Sequence, residues 1–190
     1  LARAGLPADD DRPLVLLHPG ASAPSRRWPA ERFGAAAAAI ARARPGVRIV
    51  FVGGDADRSA VRLALSAMAA AMASAEEAGA DPQPDGPARP AAAVPSPLAI
   101  GAAPHPGLAP IDLCGALPLG ALAALIGRAA VLVANNSAPA HIAAAVGTPV
   151  VSLYALTNPQ HTPWGVPVRV LNHDVPCRWC LQSTCPEGHH

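Results

Sequence analysis

Residues 131–154 read VLVANNSAPAHIAAAVGTPVVSLY, and this stretch decides the fold. An apolar run gives way to the polar loop NNS at residues 135–137, and Pro139 suits the first turn of a helix, where its missing N–H costs nothing. Gly147 ends that helix, and the apolar run over residues 149–154 predicts the next strand. A strand, a helix and a strand in this order form the repeating unit of a parallel α/β sheet.

The same alternation extends toward both ends of the chain. Further apolar runs predict strands over residues 14–17, 47–52, 111–113 and 168–171, and helical periodicity predicts helices over 30–44, 57–75 and 119–129. Continuous apolar strands are typical of parallel sheets that are covered on both faces. The sequence therefore predicts a doubly wound α/β fold, with a mostly parallel sheet, helices on both faces and ligands bound beyond the carboxyl ends of the strands.

The 190 residues predict a single domain with two irregular regions. Residues 76–110 are rich in Pro, Ala and Gly and show no period, which predicts a mobile insertion. Residues 172–190 form a Cys- and His-rich tail, and the acidic triplet at 9–11 is interpreted as part of an exposed lead-in.

Composition excludes several classes of protein. The net charge of +1 and the 3% aromatic content argue against binding to nucleic acid. All basic residues are arginine, which excludes a lysine Schiff base or a P-loop lysine. The apolar stretch 113–134 is interrupted by Pro118 and Arg128, so it predicts a helix and a strand rather than a transmembrane segment. No signal peptide is visible, and the cysteine usage favours a reducing cytosol.

The loop at residues 18–28, HPGASAPSRRW, follows the first strand and is a candidate anion site. Ser22 offers a hydroxyl, and Arg26 and Arg27 offer guanidinium groups that bind phosphate in a bidentate manner. The alternative is that both arginines are solvated and Trp28 is a packing residue.

The loop at residues 135–141 leads into a helix N-terminus, whose free N–H groups and partial positive charge suit a diphosphate. His141 lies one turn into that helix. The alternative is that Asn136 and Ser137 only cap the helix and that His141 is a buried, hydrogen-bonded residue.

Two further groups are weaker candidates. The sequence GGDAD at 53–57 lacks the dinucleotide-binding spacing, so Asp57 is either an acceptor for ribose hydroxyls or a helix cap. Cys177, Cys180, Cys185 and His189 have the spacing and chemistry of a tetrahedral zinc site, and the alternative is a set of reduced thiols.

Taken together and in order, these segments resemble glycosyltransferase family 9, the ADP-heptose:lipopolysaccharide heptosyltransferases. The resemblance rests on four stretches: LLHPGASAPSRRWPAERF at 16–33, IVFVGG at 49–54, residues 112–165, and VPCRWCLQSTCPEGHH at 175–190. It implies the Rossmann-like C-terminal half of a GT-B fold, which binds the nucleotide sugar.

The resemblance also implies roles for individual residues. Ser22 and Arg26 would hold the donor diphosphate, with Arg26 at a position that is usually lysine. The family's helix-start motif appears here as residues 136–141, in which Asn136 replaces an aspartate and Ala138 replaces a glycine, beside Ser137 and His141. The base and ribose contacts would fall near Asp57 and Leu117.

The reaction implied is the inverting transfer of a heptose-like sugar from a nucleotide diphosphate to a lipopolysaccharide-core or similar glycan, in the cytoplasm or at the cytoplasmic face of the inner membrane. The general base would lie in a separate N-terminal domain, and no cofactor beyond the donor would be required. Two alternatives are a non-catalytic α/β binding module with a structural metal at the Cys cluster and an NAD-dependent oxidoreductase. The missing GxGxxG motif argues against the oxidoreductase.

Overall fold

The computed structural model describes residue 6 and residues 10–78, 109–154, 159–177 and 180–188. The strands of this part of the chain are β1 (Leu14–His18), β2 (Arg48–Phe51), β3 (Ile111–Asp112), β4 (Ala129–Asn135), β5 (Val150–Leu153) and β6 (Val168–Leu171). Its helices are α1 (Ala30–Ala43), α2 (Arg58–Ala78), α3 (Leu119–Gly127) and α4 (Ala138–Val146). Short 3₁₀ turns occur at Pro24–Arg26, Asp55–Asp57 and Pro159–His161.

The six strands form one sheet in the order β3-β2-β1-β4-β5-β6, and every pair is parallel. This is the strand order of the Rossmann fold, in which the chain changes direction across the sheet between β1 and β4. The predicted doubly wound α/β architecture is therefore confirmed.

Two apolar layers cover the sheet, one on each face. On one face Leu16, Val50, Leu132 and Val150 lie in register across four strands, and α3 and α4 pack over them. On the other face Val15, Leu17, Ile49 and Phe51 contact α1 and α2. Side chains alternate between the faces along each strand, so each buried strand supplies both layers.

Helices α1 and α2 approach each other closely at Gly34. A Cβ atom at that position would lie 2.1 Å from the backbone oxygen of Ala64. Ala37 and Ala38 of α1 are fully buried beside them. Small side chains at this contact allow a chain with few aromatic residues to pack a dense layer.

The structure corrects several predicted boundaries. Helix α2 continues to Ala78, so the first three residues of the predicted insertion are helical, and residues 79–108 lie outside the described residues. Strand β4 begins at Ala129, and α3 ends before it at Gly127. Among the described residues, no helix combines the length and the apolar character needed to cross a membrane.

The predicted exposed lead-in is also wrong for two residues, Leu6, which is 1% exposed and belongs to the core, and Asp10. The side chain of Asp10 is 4% exposed and lies 2.6 Å from Nε of Arg12 and 2.8 Å from Nη2 of Arg48. This ion pair fastens the segment before β1 to the start of β2, so Asp10 is part of the folded domain.

Candidate functional site

The loops that follow β1 and β4 leave neighbouring strands at the point where the strand order reverses. His18, the last residue of β1, is in register with Ala134 of β4. Helix α1 packs on one face of the sheet and α4 on the other, so the two loops diverge from this edge. In doubly wound sheets the crevice between two such loops is the usual ligand site.

Asn135, the last residue of β4, fixes the loop between β1 and α1. Its Nδ2 donates to the backbone oxygen of Pro19 at 2.8 Å, and its Oδ1 accepts from the backbone N–H of Trp28 at 3.0 Å. The side chain is fully buried. Both ends of the loop are therefore tied to the neighbouring strand. Sequence reasoning missed this role, although an asparagine directly after a buried apolar run was its signal.

Of the two adjacent arginines in this loop, one is engaged and one is available. Arg27 is exposed, and its Nε donates to the backbone oxygen of Ala21 at 2.7 Å. Arg26 is half-buried, and its Nε is a buried donor with no hydrogen-bond partner among the described residues. The predicted packing role of Trp28 is confirmed, because its ring meets Phe33 edge-on at 5.2 Å.

The Arg26 guanidinium lies close enough to Tyr154, the residue after β5, to influence its ionisation. Burial raises the pKa of Tyr154 to about 12, and the Arg26 charge opposes that rise. The Tyr154 hydroxyl donates to the backbone oxygen of His161 and so joins the end of β5 to the turn before β6. Arg26 therefore places a positive charge near Tyr154, just beyond the carboxyl end of β5.

The N-terminus of α4 faces the crevice from the β4 side without a side-chain cap. Ser137 occupies the N-cap position, but its hydroxyl donates back to the oxygen of Asn135 at 3.0 Å. The prediction that the Ser137 side chain caps this helix is therefore wrong. Asn136 is 6% exposed, and its Nδ2 has no hydrogen-bond partner among the described residues. The unpaired Nδ2 of Asn136 thus lies at the positive end of a helix dipole.

Asp57 reaches the crevice from the 3₁₀ turn after β2. Its Oδ2 accepts the backbone N–H of Gly54 at 2.9 Å and lies 3.6 Å from Nε2 of His18. Its carboxylate packs against Gly20, where a Cβ atom would lie 2.1 Å from Asp57 Oδ1. The absence of a side chain at Gly20 therefore allows the carboxylate to reach the β1 loop.

His18 forms the floor of this corner. The side chain is 9% exposed, and its Nδ1 has no hydrogen-bond partner among the described residues. Burial lowers the pKa of His18 below its ordinary value, and the negative charge of Asp57 opposes the shift. Because burial outweighs the carboxylate, the neutral imidazole is the favoured form in the folded protein.

The remaining predicted residues lie around the same edge. Ser22 is exposed in the β1 loop, and Ala138 is exposed in the first turn of α4. Leu117 is half-buried in the loop after β3 and packs on the core layer beneath α3 and α4. His141 is exposed, so its interpretation as a buried core residue is wrong.

The Cys-rich tail contributes no metal cluster within the described residues. Cys177 and Cys185 are half-buried and Cys180 is exposed, and none forms a disulfide. No three His, Cys, Asp or Glu side chains in the described parts of the chain are grouped closely enough to hold a metal ion. His189 lies outside the described residues, so the four-ligand zinc site stays a prediction.

Comparison with known proteins gives a match to one protein family and to several solved structures. The family model described as glycosyltransferase family 9 (heptosyltransferase) matches residues 2–76 and 98–190. A glycosyltransferase of family 9 from Veillonella parvula is similar in structure, with 26% identity and a TM-score of 0.61. That match covers 90% of this chain and 38% of the Veillonella chain.

Two solved structures from E. coli share the fold. ADP-heptose lipopolysaccharide heptosyltransferase II has 24% identity and a TM-score of 0.61, and the match covers 90% of this chain and 40% of the heptosyltransferase II chain. Heptosyltransferase WaaC with ADP-2-deoxy-2-fluoro heptose has 17% identity and a TM-score of 0.51, and the match covers 87% of this chain and 38% of the WaaC chain. This chain thus spans about two fifths of the length of the solved structures it matches. The search of curated proteins gave no match.

Proposed function

Because the chain belongs to glycosyltransferase family 9, we propose that it is the nucleotide-sugar-binding half of a two-domain glycosyltransferase. Its crevice between the β1 and β4 loops takes the diphosphate of the donor. The observation that carries this proposal is that two buried donors, Nε of Arg26 and Nδ2 of Asn136, one on each loop, have no hydrogen-bond partner in the described structure. An unpaired buried donor is costly, so two of them beside one crevice favour a ligand rich in acceptors.

The diphosphate is held from two directions in this proposal. Arg26 approaches from the β1 loop, and the uncapped start of α4 approaches from the other side, with Asn136 and the backbone near Ser137 and Ala138. Ser22 supplies a hydroxyl at the rim, and His141 borders the same end of the helix. A guanidinium and a helix N-terminus together suit a dianionic group.

The nucleoside lies toward β2 and β3. Asp57 points its carboxylate to the crevice beside Gly20, where it can accept hydrogen bonds from ribose hydroxyls. Leu117, in the loop after β3, offers an apolar surface to the base. The ADP-heptose derivative bound by the E. coli WaaC enzyme supports an adenine nucleotide as the donor.

The chemistry is sugar transfer with inversion. The acceptor hydroxyl oxygen forms a bond to the anomeric carbon while the bond from that carbon to the diphosphate oxygen breaks. The hydroxyl proton passes to a general base in the N-terminal domain, and the departing diphosphate keeps the electron pair. Arg26 and the α4 N-terminus stabilise the negative charge that develops on the leaving group.

The donor we propose is an ADP-linked heptose, and the acceptor is a lipopolysaccharide-core or similar glycan. The E. coli heptosyltransferase II, which shares the fold, supports this assignment by its name. The site of action in this proposal is the cytoplasm or the cytoplasmic face of the bacterial inner membrane.

Isothermal titration with ADP, UDP and GDP tests the proposal. We expect ADP to bind this chain, and we expect the chain alone to transfer no sugar to a lipopolysaccharide-core acceptor, because the proposal assigns the general base to the N-terminal domain. Absence of binding by all three nucleotides would overturn the donor-site assignment. Sugar transfer by the chain alone would overturn the assignment of the base to another domain.

A further inference from the structure

The tail returns to the proposed donor site and contacts the β1 loop. The backbone N–H of Ser25 donates to the oxygen of Ser183 at 3.1 Å, and the Ser25 hydroxyl donates to the oxygen of Gln182 at 2.7 Å. Ser25 is 2% exposed, so both of its donors are buried and both are satisfied by the tail. The hydroxyl contact joins residues that are 157 positions apart in the sequence.

Ser25 is the middle residue of the 3₁₀ turn Pro24–Arg26 and precedes Arg26 directly. The turn is closed by the N–H of Arg26 and the N–H of Arg27, which donate to the oxygens of Ala23 and Pro24 at 3.0 Å. Asn135 ties the ends of the loop, but the turn that carries Arg26 is held from outside only by the tail among the described contacts. The tail therefore holds the backbone from which the Arg26 side chain extends.

The contacting segment of the tail has an unusual backbone. Leu181 has φ of 61°, and it is the only residue other than glycine with a positive φ in the described parts of the chain. Its side chain is 67% exposed, so packing of that side chain does not explain the conformation. A leucine adopts this region only where its surroundings hold it there. The hydrogen bonds to Ser25 begin at the very next residue.

We propose that the segment Leu181–Ser183 is a structural part of the donor site and that Ser25 is a positioning residue for Arg26. The tail carbonyls hold the 3₁₀ turn so that the Arg26 guanidinium faces the crevice before the donor arrives. This inference deepens the proposed function and rests on it. Preorganisation of this kind raises affinity because the loop loses little freedom on binding.

A pair of substitutions at Leu181 tests the proposal without touching the loop. Proline fixes φ near −65°, so Leu181→Pro is incompatible with the docked tail, whereas Leu181→Gly accepts positive φ freely. We expect Leu181→Pro to weaken ADP binding about tenfold, which is the loss that one or two neutral hydrogen bonds account for. The ADP affinity of Leu181→Gly should stay within about twofold of that of the parent chain. Because Leu181 is exposed and lies in an irregular segment, neither change removes core packing.

Hydrogen exchange supplies a readout that is independent of affinity. The Ser25 amide is protected by the Ser183 oxygen, so Leu181→Pro should speed exchange in the peptide 22–27, and Leu181→Gly should not. Faster exchange there with no loss of ADP affinity would overturn the proposal, since the tail would then have released the loop without any effect on the binding of ADP.

A double-mutant cycle tests whether the effect passes through Arg26. Ser25→Ala removes the hydroxyl donor, and we expect about three- to tenfold weaker ADP binding. In an Arg26→Ala background the same change should cost less than twofold. Ser183→Ala and Gln182→Ala are the controls, because their exposed side chains are not used and only their carbonyls accept.

The outcomes separate this inference from the proposed function. If the parent chain binds no nucleotide, both are overturned. If ADP binds and Arg26→Ala weakens it, but Leu181→Pro and Ser25→Ala leave affinity unchanged, the proposed function stands and the role of the tail is overturned. Equal losses from Ser25→Ala in the presence and absence of Arg26 would overturn the claim that Ser25 acts through Arg26.

Discussion

Trp28 donates its backbone N–H to Oδ1 of Asn135 at 3.0 Å, across 107 residues of sequence. The side-chain amide of Asn135 also donates from Nδ2 to the backbone oxygen of Pro19, so this one side chain holds the start and the end of the β1 loop. The loop that carries Arg26 is thereby held by the last residue of β4, the strand beside β1 at which the sheet order reverses. The shape of the site and the stability of the sheet edge depend on a common residue.

Asn135→Asp is therefore expected to be strongly destabilising. Aspartate keeps an acceptor for Trp28 but loses the donor to Pro19, and it places a carboxylate in a fully buried position. Loss of a buried hydrogen bond with burial of a charge costs about 3 kcal/mol or more. Urea unfolding measures the change, with Asn172→Asp as the control, because Asn172 is exposed. A loss below about 1 kcal/mol would contradict the importance of this contact.

Arg26→Ala should weaken ADP binding and leave stability almost unchanged. A charge-assisted hydrogen bond contributes about 1.5–3 kcal/mol, and the Arg26 Nε has no partner that the mutation would break among the described residues. Titration calorimetry and thermal melts give the two quantities. Arg32→Ala, on the exposed first turn of α1, removes the same charge away from the crevice and should change neither. Equal effects of the two substitutions would show that only net charge matters.

Asn136→Ala should separate affinity from stability. Its Nδ2 is buried without a partner in the described structure, so removal of the amide relieves an unsatisfied donor while it opens a small cavity. These terms oppose each other, so we expect the free energy of unfolding to change by less than about 1 kcal/mol. The free energy of ADP binding should weaken by more than about 1 kcal/mol, because the Asn136 amide contacts the diphosphate in the proposed site. A variant that is less stable but binds ADP normally would identify Asn136 as a structural residue only.

Gly20→Ala should disturb the corner that holds Asp57. The new Cβ would lie 2.1 Å from Asp57 Oδ1, so the carboxylate must move away from the β1 loop. We expect weaker binding of ADP, with a smaller effect on inorganic diphosphate, because Asp57 faces the ribose in the proposed site. Gly120→Ala is the matched control, since a Cβ added there would meet no described atom within 4 Å apart from its chain neighbours and the backbone of its own helix, and alanine favours helix α3. A normal ADP affinity for Gly20→Ala would argue against a ribose contact from Asp57.

His18 should make the protein sensitive to mild acid. Its pKa is lowered in the folded state, chiefly by burial and against the opposing charge of Asp57. The unfolded chain therefore binds the proton more readily, and the free energy of unfolding should fall as pH drops below about 6.5. Above that pH the contribution of His18 to the free energy of unfolding stays constant, because the imidazole is neutral in both states. Denaturant unfolding between pH 7.5 and pH 5 should show a shallower decline for His18→Gln than for the parent chain. Identical slopes in the two proteins would assign the acid sensitivity to other groups.

Local pattern predicted the elements of this fold well, because apolar runs and helical periodicity depend on neighbours in sequence. The carboxyl-end loops of β1 and β4 were placed correctly, since parallel strands bring these ends to one edge. Their internal contacts were not predictable in the same way. The partners of Asn135 lie more than 100 residues away, and the tail contacts of Ser25 span still more sequence.

Charged residues mislead local reasoning for a related reason. The acidic triplet at 9–11 has the composition of a solvated segment, yet the Asp10 side chain is buried because Arg48 arrives from β2. Serine at a helix start predicts a side-chain oxygen that accepts a backbone N–H of the first turn, but the Ser137 hydroxyl instead donates to the backbone oxygen of Asn135. In both cases a specific partner with good geometry outweighs the average preference of the residue type.

The strand order also has a consequence for how the protein folds. Strands β1, β2 and β3 lie side by side and are formed from residues 14–112, whereas β4 must pair with β1 from residue 129 onward. Pairs that are distant in sequence form slowly, because closing a long loop costs entropy before any contact repays it. During synthesis from the N-terminus, one half of the sheet can therefore assemble while its central neighbour is still missing. The crevice, which needs both β1 and β4, is then among the last parts of the molecule to take shape, and binding of a nucleotide should be a late marker of complete folding.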